Sequence, residues 1–224
     1  MIAEELTIDG PKGPMQAYIA RRDDRRRPAV IVLEGIYGFD AEMRRITNLV
    51  AQVGYTGIAI DYLRGNRPED VFKTEDVCRD VAAARDWANN QPFVQHGKVA
   101  TWGFGWGGTA AFLSASLAGL AGAVAFYGQS IARPLPGAQK AAIDEIEDVR
   151  APLLLVFGGH DEQIGEHDIQ TIRDNLAARG KQFEIEVYPN VGHSFFREDR
   201  DTVAARQIAD AWDRVNAFLQ RSFK

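Results

Sequence analysis

The run Gly103-Phe104-Gly105-Trp106-Gly107-Gly108 could present a reacting group at a sharp turn between a strand and a helix. Glycines at this spacing permit a turn so tight that the central residue, Gly105, stands exposed in a strained backbone region. The helix that follows would aim its N-terminal N–H groups and positive dipole at the same place, where they stabilise an anion. By itself the glycine pattern fits equally well a tight turn packed against a sheet.

A carboxylate and an imidazole follow this turn along the chain. Asp161 ends the run Phe-Gly-Gly-His-Asp, and His193 lies in Val-Gly-His-Ser-Phe. An aspartate can orient a histidine and stabilise its charged form, and the order turn, acid, histidine is that of a nucleophilic triad. Alone, Asp161 could be a helix cap and His193 a loop residue, but their joint order favours catalysis. His160 and His167 are expected at the surface, and no spacing resembles a zinc site, so no metal or organic cofactor is predicted.

The elements that must position these residues are indicated by short apolar runs that alternate with amphipathic stretches. This alternation is typical of βαβ units in a mostly parallel sheet. Strands are predicted over residues 4–8, 15–20, 29–33, 55–60, 98–102, 121–126, 152–157 and, as an edge strand, 182–188. Helices are predicted over 40–53, 74–90, 107–117, 164–179 and 202–219, with Asp40 and Thr74 suited to capping and Gly180 to ending a helix. Glu34, Gly105, Asp161 and His193 would each follow a strand, at the sheet edge where α/β proteins bind ligands.

One further segment, Leu33-Glu34-Gly35-Ile36-Tyr37-Gly38, makes the pattern more specific. Together with the turn at Gly105, the Gly158 to Asp161 loop and the Gly-His-Ser-Phe run, it resembles the dienelactone hydrolase family over nearly the whole chain. The resemblance implies an α/β-hydrolase fold, with a mostly parallel central sheet flanked by helices on both faces, in a single domain of residues 1–224.

The resemblance also implies roles for individual residues. Glu34 would be the acid partner of the nucleophile, and Asp161 and His193 would complete the triad. The backbone N–H groups of Trp106 and Ile36 would form an oxyanion hole. Arg197 matches a family arginine that binds a substrate carboxylate, although a solvated arginine is an equally good interpretation. Further candidates for substrate contact are Tyr37, Phe104 and Tyr127.

The chain departs from the family at the nucleophile, because Gly105 occupies the position of the family's cysteine. Glycine has no side chain and cannot attack a carbonyl. Cys78 lies within a predicted helix and is expected to be structural, whereas Ser130 follows a strand and could approach the pocket. The stretch from Asp61 to Asp80 is also shorter than in the family. Its basic residues, as possible anion contacts, are Arg64, Arg67 and Lys73.

Four functions remain open on this evidence. The preferred one is an enzyme in which His193 or Glu34 activates water for attack on a small, anionic ester or lactone. The same residues could instead move a proton on an enolisable carbonyl compound, as in a lyase, isomerase or cyclase. An artificial replacement of cysteine by glycine in an ordinary hydrolase, or a non-catalytic binding protein, would also explain Gly105. Retaining two carboxylates and an imidazole together favours chemistry, because burying them is costly unless they are paired.

Composition narrows the partners. The 224 residues carry a formal net charge of −5, which argues against nucleic acid and anionic membranes as partners. A single cysteine excludes an intrachain disulfide, and no apolar run is long enough to span a bilayer. The N-terminus lacks the pattern of a signal peptide. We therefore expect a cytoplasmic protein, a monomer or weak homodimer, that binds a small molecule.

Overall fold

The computed structural model describes residues 1–33, 35, 38–134, 139–145, 148–197 and 202–224, the last range without the side chains of its first two residues. Eight strands form one sheet in the order β1-β2-β4-β3-β5-β6-β7-β8. The strands are β1 (Ile2–Gly10), β2 (Gly13–Arg21), β3 (Arg27–Leu33), β4 (Thr56–Ile60), β5 (Val94–Phe104), β6 (Gly122–Phe126), β7 (Leu153–Gly158) and β8 (Phe183–Tyr188). The helices are α1 (Ala41–Gln52), α2 (Pro68–Val71), α3 (Thr74–Asn89), α4 (Trp106–Ser114), α5 (Ala142–Glu145), α6 (Glu166–Ala178) and α7 (Thr202–Ser222).

The sheet is antiparallel at one end and parallel elsewhere. β1 and β2 form a hairpin, and β2 pairs antiparallel with β4. From β4 through β8 the strands run parallel, with β8 at the edge as predicted. Every residue of β4, β6 and β7 is buried, which requires cover on both faces. These features confirm the predicted α/β-hydrolase fold, with a mostly parallel sheet covered on both faces.

Several predicted boundaries are confirmed in detail. Asp40 caps α1, because its side chain accepts a hydrogen bond of 3.0 Å from the backbone N–H of Met43. Gly180, which follows the cap residue Arg179 at the end of α6, adopts a φ of 62°, the left-handed conformation that ends many helices. Periodicity underestimated β5, which begins four residues before the predicted strand at residue 98.

The predicted cap at Thr74 is wrong. Thr74 is already inside α3, and Lys73 occupies the cap position without a side-chain hydrogen bond. The Thr74 hydroxyl instead donates to the carboxylate of Glu145, so it is not available to the helix N-terminus.

Short helical segments were not predicted, because a single turn is too short to show a periodic pattern. They are α2, α5 and a 3₁₀ turn at Phe195–Arg197. Among the described residues, no helix combines the length and the apolar character needed to cross a membrane.

Candidate active site

The turn between β5 and α4 holds Gly105 in a conformation that suits glycine. Its φ of 57° and ψ of −116° lie where side-chain-bearing residues are strained, and its N–H donates to the carbonyl of Phe126 at 3.0 Å. A Cβ on Gly103 would lie 1.8 Å from the carbonyl oxygen of Gly107, so the chain can approach itself this closely only with glycine there. A Cβ on Gly105, in contrast, would meet no atom within 4 Å. Gly105 therefore faces open space.

The helix α4 begins immediately after this turn. Trp106 is its first residue, a position whose backbone N–H has no acceptor within the helix. Every residue of α4 is buried, so the helix is fixed by packing against β5 and β6. The first turn of α4 thus brings an N–H group and a positive dipole end next to Gly105.

Asp161 and His193 form a hydrogen-bonded pair. His193 Nδ1 lies 2.8 Å from Asp161 Oδ2, and the aspartate side chain is fully buried while His193 is 16% exposed. The other carboxylate oxygen accepts from the backbone N–H groups of Gln163 at 2.8 Å and Ile164 at 3.1 Å. Because an ionised carboxylate only accepts, the Nδ1 atom of His193 must carry the proton. Its Nε2 atom is then the one that can accept a proton.

Two glutamines that the sequence interpretation missed complete the surroundings of His193. The side-chain nitrogen of Gln129 lies 3.2 Å from His193 Nε2. The same nitrogen donates to the side-chain oxygen of Gln163. Gln129 follows β6 and Gln163 follows Asp161 after β7, so the rule that placed the other candidates at strand ends could have found both.

These groups surround a cavity of about 190 Å³, which we call the elbow pocket. Phe104 and Tyr127 are buried in its wall, and the Tyr127 ring stands edge-on to His193 with ring centres 5.2 Å apart. The elbow pocket is lined by Gly35, Met43, Ile46, Phe104, Gly105, Trp106, Tyr127, Gln129, Gln163, His193, Ser194 and Arg197. The fold therefore brings the predicted candidates Phe104, Gly105, Trp106, Tyr127, His193 and Arg197 together, with Asp161 behind His193.

Arg197 reaches the elbow pocket from the 3₁₀ turn. Its guanidinium lies 2.8 Å from Asp40 Oδ2, and both side chains are 28% exposed. Asp40 thus uses one oxygen to cap α1 and the other to hold Arg197. A substrate carboxylate at Arg197 would share the guanidinium with Asp40.

The remaining sequence candidates lie elsewhere or outside the described residues. Glu34, Ile36 and Tyr37 lie outside the described residues. Arg64 is held by both carboxylate oxygens of Asp80, at 2.7 and 2.9 Å, and does not line the elbow pocket.

Cys78 and Ser130 are not among the residues that line the elbow pocket. Both line a separate cavity of about 820 Å³, which we call the α3 cavity. Cys78 is half-buried on α3 with its Sγ 3.7 Å from the carbonyl of Leu113, and burial raises the pKa of its thiol to about 11. Neither residue lines the elbow pocket beside Gly105. Among the described residues, no group of three His, Cys, Asp or Glu side chains comes close enough to hold a metal ion.

Comparisons with known proteins identify the family of this chain. The model of the dienelactone hydrolase family matches residues 15–223. A protein of Escherichia coli strain K12, provisionally named a carboxymethylenebutenolidase, is 33% identical over 96% of this chain and 85% of its own length. A Bradyrhizobium protein, provisionally named a 2-oxo-3-(5-oxofuran-2-ylidene)propanoate lactonase, is 26% identical over 98% of this chain and 96% of its own. A crystal structure from Klebsiella pneumoniae, provisionally described as a dienelactone hydrolase, has a TM-score of 0.86 at 29% identity and covers 98% of both chains.

Proposed function

This chain belongs to the dienelactone hydrolase family of enzymes, and on that premise we propose that it hydrolyses a small, anionic ester or lactone by direct attack of water. One observation carries the proposal. His193, paired with Asp161, lines the elbow pocket. Gly105, at the turn between β5 and α4, lines the same pocket, has no side chain and faces open space. The pocket thus keeps a base and an anion site while having room for a water where the family's nucleophile would stand.

The reaction would proceed in two steps. A water beside Gly105 gives a proton to His193 Nε2 while its oxygen forms a bond to the carbonyl carbon of the substrate. The carbonyl π bond breaks and leaves a negative charge on the oxygen, which the N–H of Trp106 and the N-terminus of α4 stabilise. When the carbonyl re-forms, the ester C–O bond breaks and the departing alkoxide takes the proton from His193. Asp161 stabilises the imidazolium between the two steps.

The proposal retains the other predicted roles. Glu34 as a second base and Ile36 as a second oxyanion donor remain predictions, as does Tyr37 as a substrate contact. Gly105 as the position that corresponds to the family's cysteine also remains a prediction, as does a single domain of residues 1–224. A lactone substrate is supported by the name of the Bradyrhizobium relative, and a negative charge on the substrate by the position of Arg197 in the pocket wall.

The first test replaces the proposed base. We expect His193→Gln to lower kcat/KM on a reactive small lactone by about 10²–10⁴-fold, the usual contribution of a general base, while the unfolding transition is preserved. The matched control is His167→Gln, because His167 is an exposed histidine on α6 outside the elbow pocket, and we expect it to keep wild-type activity. Equal activity of the two variants would rule out His193 as the base.

A single turnover in ¹⁸O-labelled water tests the direct attack. With enzyme in excess over substrate, water attack puts ¹⁸O into the product in the first turnover and leaves the intact mass of the protein unchanged. A mass adduct, or ¹⁶O transferred from a protein carboxylate, would contradict the proposal. If no ester or lactone reacts but an enolisable carbonyl compound exchanges its α-proton in a His193-dependent way, the enzyme is a lyase, isomerase or cyclase.

A further inference from the structure

The two glutamines and the Asp161–His193 pair form a closed ring of hydrogen bonds. Asp161 binds His193 Nδ1 through one oxygen and the backbone N–H of Gln163 through the other. The side chain of Gln163 accepts from Gln129, and the same Gln129 nitrogen lies 3.2 Å from His193 Nε2. Both nitrogens of the imidazole therefore have a defined partner before any substrate is present.

The chemistry of the partners fixes the direction of each bond. Asp161 can only accept, so Nδ1 carries the proton and Nε2 offers a lone pair. An amide nitrogen can only donate, so Gln129 donates to Nε2 of a neutral ring. The same Gln129 nitrogen donates to the side-chain oxygen of Gln163, so one orientation of the amide serves both hydrogen bonds. A protonated ring would carry a proton on Nε2 that faces this amide nitrogen, and the bond would be lost.

We propose that Gln129 is a positioning residue that donates to Nε2 and so favours neutral His193 at the wall of the elbow pocket, and that Gln163, by accepting from Gln129, helps to hold that amide in the orientation required. This inference rests on the proposed function, in which neutral His193 is the base. When His193 takes the proton from water, this hydrogen bond from Gln129 is lost. The glutamine thus favours the neutral, proton-accepting state of His193 at rest.

Other charged and titratable groups also lie near the His193 ring. Asp161 faces Nδ1 from the loop after β7, and Tyr127 stands edge-on from the end of β6. Arg197 lines the same pocket from the 3₁₀ turn. Glu34, which the family resemblance predicts at the site, lies outside the described residues. A substitution at Gln129 leaves all of them in place, so its effect on the protonation of His193 isolates the contribution of the amide.

The test compares Gln129→Glu, whose ionised side chain only accepts, with Gln129→Met, which neither donates nor accepts through an amide. We expect the acid limb of the kcat/KM profile to move to higher pH by about one to three units in Gln129→Glu, because an adjacent carboxylate favours the imidazolium. The shift in Gln129→Met should be in the same direction and no more than about one unit, the size of one lost hydrogen bond. The charge control is Gln170→Glu on α6, which adds a carboxylate outside the elbow pocket and should leave the profile unchanged.

An activity-independent measurement separates this inference from the proposed function. The chain has four histidines, so the His193 ring signal in an NMR pH titration can be assigned by its absence in His193→Gln. We expect the midpoint of that signal to be higher in Gln129→Glu and Gln129→Met than in wild type, and unchanged in Gln170→Glu. An unmoved midpoint in both Gln129 variants overturns the inference even if the enzyme is a hydrolase. A shifted midpoint in a protein that hydrolyses no ester supports the inference and removes only the proposed function.

A second variant protects the test against misfolding at Gln129. Gln163→Met frees the amide of Gln129 without touching His193 directly. We expect a shift of the same sign as in Gln129→Met but smaller, and a shift to lower pH would overturn the role of Gln163.

Discussion

The elbow pocket and the α3 cavity differ in size and in the groups that line them, and the smaller of the two holds the catalytic candidates. The α3 cavity, at about 820 Å³, is more than four times larger than the elbow pocket of about 190 Å³, and it contains the chain's one thiol. Its charged lining is balanced, with basic Lys73, Lys140 and Arg150 opposite acidic Glu75, Glu145 and Asp148. Yet only the smaller elbow pocket joins an Asp–His pair to a helix N-terminus. Volume and a reactive atom are therefore less informative here than convergent polar groups.

The position of each group within its helix explains the difference. Cys78 lies in the second turn of α3, where its thiol is half-buried and the pKa is raised to about 11 by loss of solvation. Gly105 lies at the N-terminus of α4, where unpaired N–H groups and the helix dipole favour an anion. A thiol would be unreactive at the position of Cys78 and reactive at the position of Gly105.

The largest expected effect is that of a substitution at Asp161, the buried hydrogen-bond partner of His193. In Asp161→Asn the amide oxygen can still accept from the N–H groups of Gln163 and Ile164, which turns its NH₂ group toward His193. The ring would then adopt the wrong tautomer, and we expect kcat to fall by about 10⁴-fold, as in triads where this change has been made. Measured activity within tenfold of wild type would mean that the elbow pocket is no more a catalytic site than the α3 cavity.

The second prediction places a thiol in both regions of one molecule. We expect the thiol introduced by Gly105→Cys to react with iodoacetamide at pH 7.5 at least about 100-fold faster than Cys78, because it lies at a helix N-terminus beside His193. Peptide mapping by mass spectrometry reads the two sites separately. The variant should lose about 1–3 kcal/mol of stability, since a residue with a side chain is strained at this φ and ψ.

The control for the iodoacetamide experiment is Cys78→Ala, which removes the thiol of α3. In the wild-type chain, labelling of Cys78 should accelerate as the pH rises toward about 11, where its thiol ionises. Because the folded-state pKa lies above the ordinary thiol value, the thiol favours the folded state below about pH 9, and this contribution is lost as the pH rises to about 11. Equal labelling of the two thiols at pH 7.5 would contradict the difference in environment.

The smallest expected effect concerns the charge of the elbow pocket. We expect Arg197→Met to raise KM for a carboxylate-bearing ester by about 10- to 100-fold, the range of one hydrogen bond to a charged group, and to leave KM for a neutral ester of the same shape unchanged. Lys140→Met, which changes one cation of the α3 cavity, is the matched control. An equal rise for both esters would show that Arg197 acts through Asp40 and helix α1 rather than through the substrate.

Much of the fold could be predicted because its signals are local. The apolar runs of β3, β4, β6 and β7 and the cap at Asp40 depend on neighbours along the chain, and these predictions are confirmed. The cap at Thr74 could not be judged this way, because its hydroxyl binds Glu145, which lies 71 residues away. A local sequence pattern does not reveal a hydrogen-bond partner from a distant segment of the chain.

The sequence by itself determined which residues reach the carboxyl edge of the sheet. Backbone sterics at the turn account for the glycines at 103 and 105. Strand periodicity accounts for the positions of Asp161 and His193 after apolar runs. Only the tertiary structure decided how these residues are joined. Gln129 and His193 are 64 residues apart, and Arg197 and Asp40 are 157 apart. Their contacts exist because the order of β3, β5, β6, β7 and β8 in the sheet brings the loops after these strands together, and that order is set by long-range packing.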